Sequence, residues 1–218
     1  GHIESGEKLD GKFDVFFHGG RSSVQQDGNQ FTWSYENDRY GEAAKLITYQ
    51  LTPGSAIEIS DMESTYIKAD YARYPTLRTS KAGSSALFGQ ILYPLSKKDE
   101  KPVIEDLSTE KLLGAKISTG QKTDIFLKSH SEKSSEKAGI EFNGDLAWIS
   151  LQDGNLNKAA GQSVNRISYK GSSVLSSTER VTFALLWDSI IEFGIALEKP
   201  SEVTLNLGRN ISSITKDG

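Results

Sequence analysis

The chain of 218 residues contains no cysteine, which excludes disulfide stapling and thiolate metal sites while leaving the compartment open. Histidine is almost as scarce. His2, His18 and His130 are the three, and with His2 near a terminus and His130 in a charged, serine-rich stretch, a three-histidine zinc centre has little to stand on. No run approaches the roughly 18 apolar residues that span a bilayer. The first residues lack the basic segment and apolar stretch of a signal peptide. A basic excess is also missing: 25 Lys and Arg against 29 Asp and Glu leave a net charge of -4, whereas nucleic-acid-binding domains carry a strongly basic face. Neither membrane nor nucleic acid is an expected partner.

The motifs of the common enzyme classes are absent. There is no Gly-rich phosphate loop, no Ser nucleophile elbow and no His-Glu-x-x-His. Asp61, Glu63, Glu105 and Asp106 offer oxygen ligands of the kind calcium takes, but without EF-hand spacing they read as a solvated acidic surface. No metal and no other cofactor is expected.

What is present is alternation with a period of two. Phe13–His18, Gln30–Tyr35, Ala44–Leu51 and Ser55–Ser60 read as strands, and so do Thr123–Lys128, Gly139–Phe142, Asp145–Leu151, Val164–Tyr169, Val181–Trp187, Ile190–Leu197 and Val203–Leu207. Between them, Asp27-Gly28-Asn29, Asn143-Gly144, Asp153-Gly154-Asn155, Lys170-Gly171 and Lys199-Pro200 supply turn chemistry. The fold class expected is all-β, an antiparallel β-sandwich, forming a single domain over 1–218 with 96–102 as the place for any subdivision. Ser129–Lys137 reads as a second exposed loop. Phe16, Trp33, Ile47, Ile57, Leu87, Ile91, Trp148, Phe183 and Phe193 are the expected core.

One segment differs in kind. Between Tyr66 and Arg78, Tyr71 and Tyr74 offer flat faces for sugar rings, and Arg73 and Arg78 offer paired N–H donors for a carboxylate or sulfate. Tyr71, Arg73, Tyr74 and Arg78 are therefore the candidate substrate-binding residues, and an acidic polysaccharide the candidate ligand. A purely structural reading also exists, in which the tyrosines pack over the end of the sandwich and Pro75 sets a bend. The alternating run Ser84–Leu95 follows as a long strand. His18, at the end of an apolar strand, is either a titratable group at a cleft rim or an ordinary strand-end histidine.

The order of Phe13–Gly19, Gly28–Trp33, Ala44–Tyr49, Tyr71–Pro75, Leu87–Pro94, Gly144–Ile149 and Arg166–Gly171 resembles the C-terminal β-sandwich region of heparinase II/III-like polysaccharide lyases. That resemblance implies β-elimination of an acidic, uronate-containing polysaccharide by a secreted or periplasmic bacterial protein in which a helical (α/α) toroid domain precedes the sandwich. In such lyases the catalytic Asn, Tyr and His lie mainly on the toroid and the first part of the sandwich. This chain is thus expected to be a C-terminal piece, inactive alone, and no catalytic role passes to any residue, His18 included. A non-catalytic carbohydrate-binding module and a surface adhesion or assembly domain are the alternative readings.

Overall fold

The computed structural model describes residues 2–5, 12–18, 22–35, 44–63, 73–83, 86–96, 98–130, 134–187 and 191–206. Every regular element among them is a β-strand, and the fold is all-β and antiparallel, as alternation without a 3.6-residue period requires. The chain divides into two compact units, Gly1–Leu113 and Gly114–Gly218. The Lys-rich stretch 96–102, the break the composition favours, lies inside the first unit; the division falls within a strand.

The first unit contains β1 (His2–Ser5), β2 (Lys12–His18), β3 (Ser22–Asp27), β4 (Gln30–Tyr35), β5 (Ala44–Gln50), β6 (Ala56–Glu63), β7 (Arg73–Ala82), β8 (Gln90–Leu95) and β9 (Val103–Asp106). Two four-stranded sheets form from these, ordered β1-β2-β7-β6 and β3-β4-β5-β8. Their inner faces share one core of Phe17 and Leu77 from one sheet and Phe31 and Trp33 from the other, with Ile57 and Ile59 packed against it. The rings of Phe17 and Trp33 lie 5.1 Å apart and tilted by 60°. Burying the indole requires a partner for its N–H, and Nε1 donates to Thr48 Oγ1 at 3.0 Å. That bond lies within one sheet; a polar tie between the two sheets is made by Thr79 Oγ1, which donates to Gln50 Oε1 at 3.1 Å.

Residues 73–82 are one strand, so the bend expected at Pro75 is not made. Proline is tolerated there because, among the described residues, the β2 pairing runs only as far as His18↔Thr76, and Pro75 lies beyond it with Asp61 of β6 opposite; no described strand on the β2 side takes a ladder N–H from it. The alternating run 84–95 is shorter as a strand than its pattern, since 86–89 are irregular and β8 starts at Gln90.

The second unit is a meander of long strands: β10 (Leu112–Thr119, begun in the first unit), β11 (Lys122–Ser129), β12 (Ser134–Lys137), β13 (Ile140–Gln152), β14 (Asn155–Tyr169), β15 (Ser172–Trp187), β16 (Ile191–Leu197) and β17 (Val203–Leu205). Its order is β16-β15-β14-β13-β11-β10, with β12 on β13 and β17 on β15. The Asp153-Gly154 and Lys170-Gly171 dipeptides form tight hairpins with positive φ at both residues, and Ala138-Gly139 forms a third. That geometry matches the twist of the paired strands. Ala138 gains nothing from its left-handed φ of 53°. Ala138→Asn, which supplies the residue preferred there, should raise stability by about 0.5 kcal/mol or more, against a left-handed penalty of roughly 1 kcal/mol for most side chains; an unchanged urea midpoint would contradict this.

Asn143-Gly144, read from sequence as a turn, lies inside β13. The register shifts there, and again between Gly161, Val164 and Arg166 on β14, as β-bulges that bend both strands. Phe142, Ile167 and Leu175 on one side of the bulges, and Ala147, Ile149 and Ala159 on the other, are fully buried. Trp148, expected in the core, is half-buried, because Ala147 and Ile149 take the inward phase. Phe16, Ile57, Leu87, Ile91 and Phe193 are likewise half-buried, whereas Trp33, Ile47 and Phe183 are buried.

Candidate functional site

The sequence-derived site centres on β7, and its neighbours follow from register. Arg78 lies opposite Phe16 of β2 on one side and Glu58 of β6 on the other. The Arg78 guanidinium stands 5.8 Å from the centre of the Phe16 ring, a separation at which the ring quadrupole attracts the cation. This explains why Phe16 leaves the core: its neighbour Phe17 points between the sheets, and Phe16 lies under the arginine on the outer face.

The next row on that face is His18↔Thr76↔Ser60, and beyond it Tyr74 pairs with Met62. Backbone alternation therefore puts positions 18, 74 and 78 in one phase of the sheet. Position 73 is five residues from 78 on an unbroken strand, in the opposite phase with Leu77. The two arginines paired by sequence proximity are thus not brought to the same face by β7. Tyr71 and Tyr66 lie outside the described residues, and at 18, 73 and 74 the structure describes the backbone alone.

A guanidinium lying near an aromatic ring is restrained in orientation, and the Arg78 Nε end of the group is buried. Glu58 is exposed on the neighbouring strand, so an acidic position lies directly across the register from the arginine.

Two phenols near the second sheet are perturbed. Burial raises Tyr35 above its ordinary value of 10.0; burial, and then the charge of Asp106, raises Tyr49. Both phenols favour the neutral form in the folded state. Stability is intact below the unfolded value and falls as pH rises through the folded one, so melting temperature should decline above about pH 10, and less in a Tyr49→Phe variant.

The sequence reading passed over a cleft in the second unit, of about 450 Å³, lined by Glu141, Asn143, Asn165, Arg166 and Ser176 among others. It lies at the bulges, where Ser134↔Asn143↔Arg166↔Ser176↔Thr204 form one polar row across five strands. Arg166 Nη2 is 3.7 Å from Glu141 Oε2, which leaves the wall charge-balanced. Only the isolated Asn165-Arg166 pair within an apolar strand hinted at it. Among the described residues no group of three or more His, Cys, Asp or Glu is placed to hold a metal ion, and no helix is long and apolar enough to cross a membrane. No protein-family model matches the chain, and no curated protein matches it.

Proposed function

We propose that this chain is a substrate-binding β-sandwich of a bacterial polysaccharide lyase of the heparinase II/III-like type, secreted or periplasmic, in which an N-terminal helical toroid domain supplies most of the catalytic groups. The ligand is an acidic, uronate-containing polysaccharide, and the chain contributes structure and substrate contacts to its β-elimination. The observation that carries the binding reading is the row Phe16–Arg78–Glu58, with positions 18 and 74 in the same phase of the same sheet. Abstraction of the uronate proton needs a base, an acid for the leaving oxygen and neutralisation of the carboxylate in one cleft. This chain alone should therefore yield no unsaturated product.

Calorimetric titration with polygalacturonate and alginate tests the binding. Affinity should be weak and fall as salt is raised. Arg78→Ala should lower it about tenfold or more, the scale of one charge-assisted contact, and Arg78→Lys should restore it only in part, since an ammonium cannot present a planar fork. Replacing Lys97, Lys98 and Lys101 should matter less. Glu58→Gln should strengthen binding, a sign that a merely structural arginine would not produce. Equal affinity of Arg78→Ala and the parent, at unchanged melting temperature, would reject the site.

A further inference from the structure

Among the described residues β16 pairs on one side only, with β15, and stands at the end of the second unit's sheet. Natural edge strands are guarded by lysine, proline, bulges or shortness, because an open row of N–H and C=O groups recruits other strands. β16 has none of these guards. It runs for seven residues, Ile-Glu-Phe-Gly-Ile-Ala-Leu, in unbroken register with β15, and Glu192 is its sole charge.

Its side chains continue the core and then outrun it. Ile191, Phe193, Ile195 and Leu197 lie opposite Trp187, Leu185, Phe183 and Val181, and the last three of these are buried. Phe193 reaches Phe183 with ring centres 6.3 Å apart. Ile195 and Leu197, beyond it, remain 37% and 45% exposed. An apolar row that stops half-covered at an open edge is completed by one more strand.

We infer that this strand is the β16 of a second copy, paired antiparallel about a two-fold axis at Gly194. In a coplanar antiparallel pair related by a two-fold, one residue must lie opposite its own copy, and charge and length select which. Centring on Gly194 pairs all seven residues: Ile191 with Leu197, Glu192 with Ala196 and Phe193 with Ile195. Centring on Ile195 would set Glu192 against Glu198, a like-charge opposition that destabilises a sheet. Centring on Phe193 would keep only Ile191–Ile195 within the strand pair. No atom lies within 4 Å of the place a Cβ at Gly194 would take, so the face of the sheet over the paired glycines has room for a substituted side chain. Each copy has one β16, and the assembly closes at two.

Sedimentation of the full chain over a concentration series tests this, with the dimer dissociating on dilution. Ile195→Lys and Leu197→Lys should shift the protein to monomer and remove the concentration dependence of its melting temperature, leaving it near that of the parent diluted to monomer. The natural chain has no cysteine, so Gly194→Cys should form a disulfide-linked dimer on mild oxidation, while Ser173→Cys, on an exposed hairpin, should not. A monomer at every concentration, a dimer that survives both lysine variants, or equal cross-linking at 194 and 173 would each overturn the inference.

Discussion

Replacing Trp33 with alanine should destabilise the first unit by about 3–5 kcal/mol, the range for removing a large buried aromatic. Three losses combine. The indole is fully buried between the sheets, so a cavity opens where neither sheet can close without moving its strands. The tilted contact with Phe17 disappears, a contribution of roughly 1 kcal/mol beyond burial for an aromatic pair. Thr48, also fully buried, loses the donor to its hydroxyl, at a cost of about 1–3 kcal/mol for a stranded polar group. These terms overlap and do not simply add. Against a total of about 5–15 kcal/mol for a typical domain, the loss is severe.

Urea unfolding should be followed by circular dichroism, because the remaining tryptophans, Trp148 and Trp187, both report on the second unit. Trp33→Phe should fall between the parent and alanine, keeping ring volume and losing the N–H. Trp148→Ala, half-buried, should cost clearly less than Trp33→Ala. A Trp33→Ala change below about 1 kcal/mol, the centre of ordinary point mutations, would show that the two sheets do not share the core described.

The second large effect is expected at Gly144. Its φ of 151° lies where side chains are strained, and a Cβ there would run into the Ser163 carbonyl oxygen and the Val164 Cα. Those are backbone atoms of the paired strand, so relief requires the bulge itself to move. Gly144→Ala should cost about 3 kcal/mol or more, combining roughly 1–3 kcal/mol of backbone strain with a similar overpacking term. Gly154→Ala is the control. It sits in a hairpin at φ 76° with nothing within 4 Å of the added Cβ, and should cost only about 1 kcal/mol, the left-handed penalty alone. Equal losses from the two substitutions, read from denaturant midpoints at constant slope, would show that the bulge is not tightly packed.

These two glycines show where local reading ends. Asn143-Gly144 and Asp153-Gly154 carry the same turn chemistry, yet one is a bulge inside a long strand and the other a hairpin. Both dipeptides allow positive φ; which use is made of it depends on the strand lying opposite, and that strand comes from elsewhere in the chain. Ala138-Gly139 is the converse, a hairpin with a poor first residue that is held by the β12–β13 pairing on either side.

The candidate site was legible to the same extent. Arg78 stands out in any reading of 66–78 as a cation among aromatics, but Phe16 and Glu58 are distant in sequence and become its neighbours only through the β2–β7–β6 register. Arg73 looked like a partner of Arg78 because the two are close in sequence, whereas the bend at Pro75 belonged to the purely structural reading of the segment. With a straight strand in place of the bend, an odd spacing sends the two positions into opposite phases. The cleft at Asn143 and Arg166 had almost no local signal, since bulges on two strands create it.

The amino-acid sequence by itself determined that this protein is all-β and antiparallel, because a two-residue apolar period can bury one side of a strand and cannot bury one side of a helix. It also determined three of the hairpins, at Asp27-Gly28-Asn29, Asp153-Gly154 and Lys170-Gly171, through glycines whose conformational freedom is local. Only the tertiary structure decided which member of an apolar pair faces inward. Phe16 and Phe17 are equivalent in pattern, and it is the packing of Phe17 against Trp33 that turns Phe16 outward beneath Arg78. Register is long-range, and a slip of one residue exchanges the two faces of a strand, so the site exists only once the sheet has chosen its core.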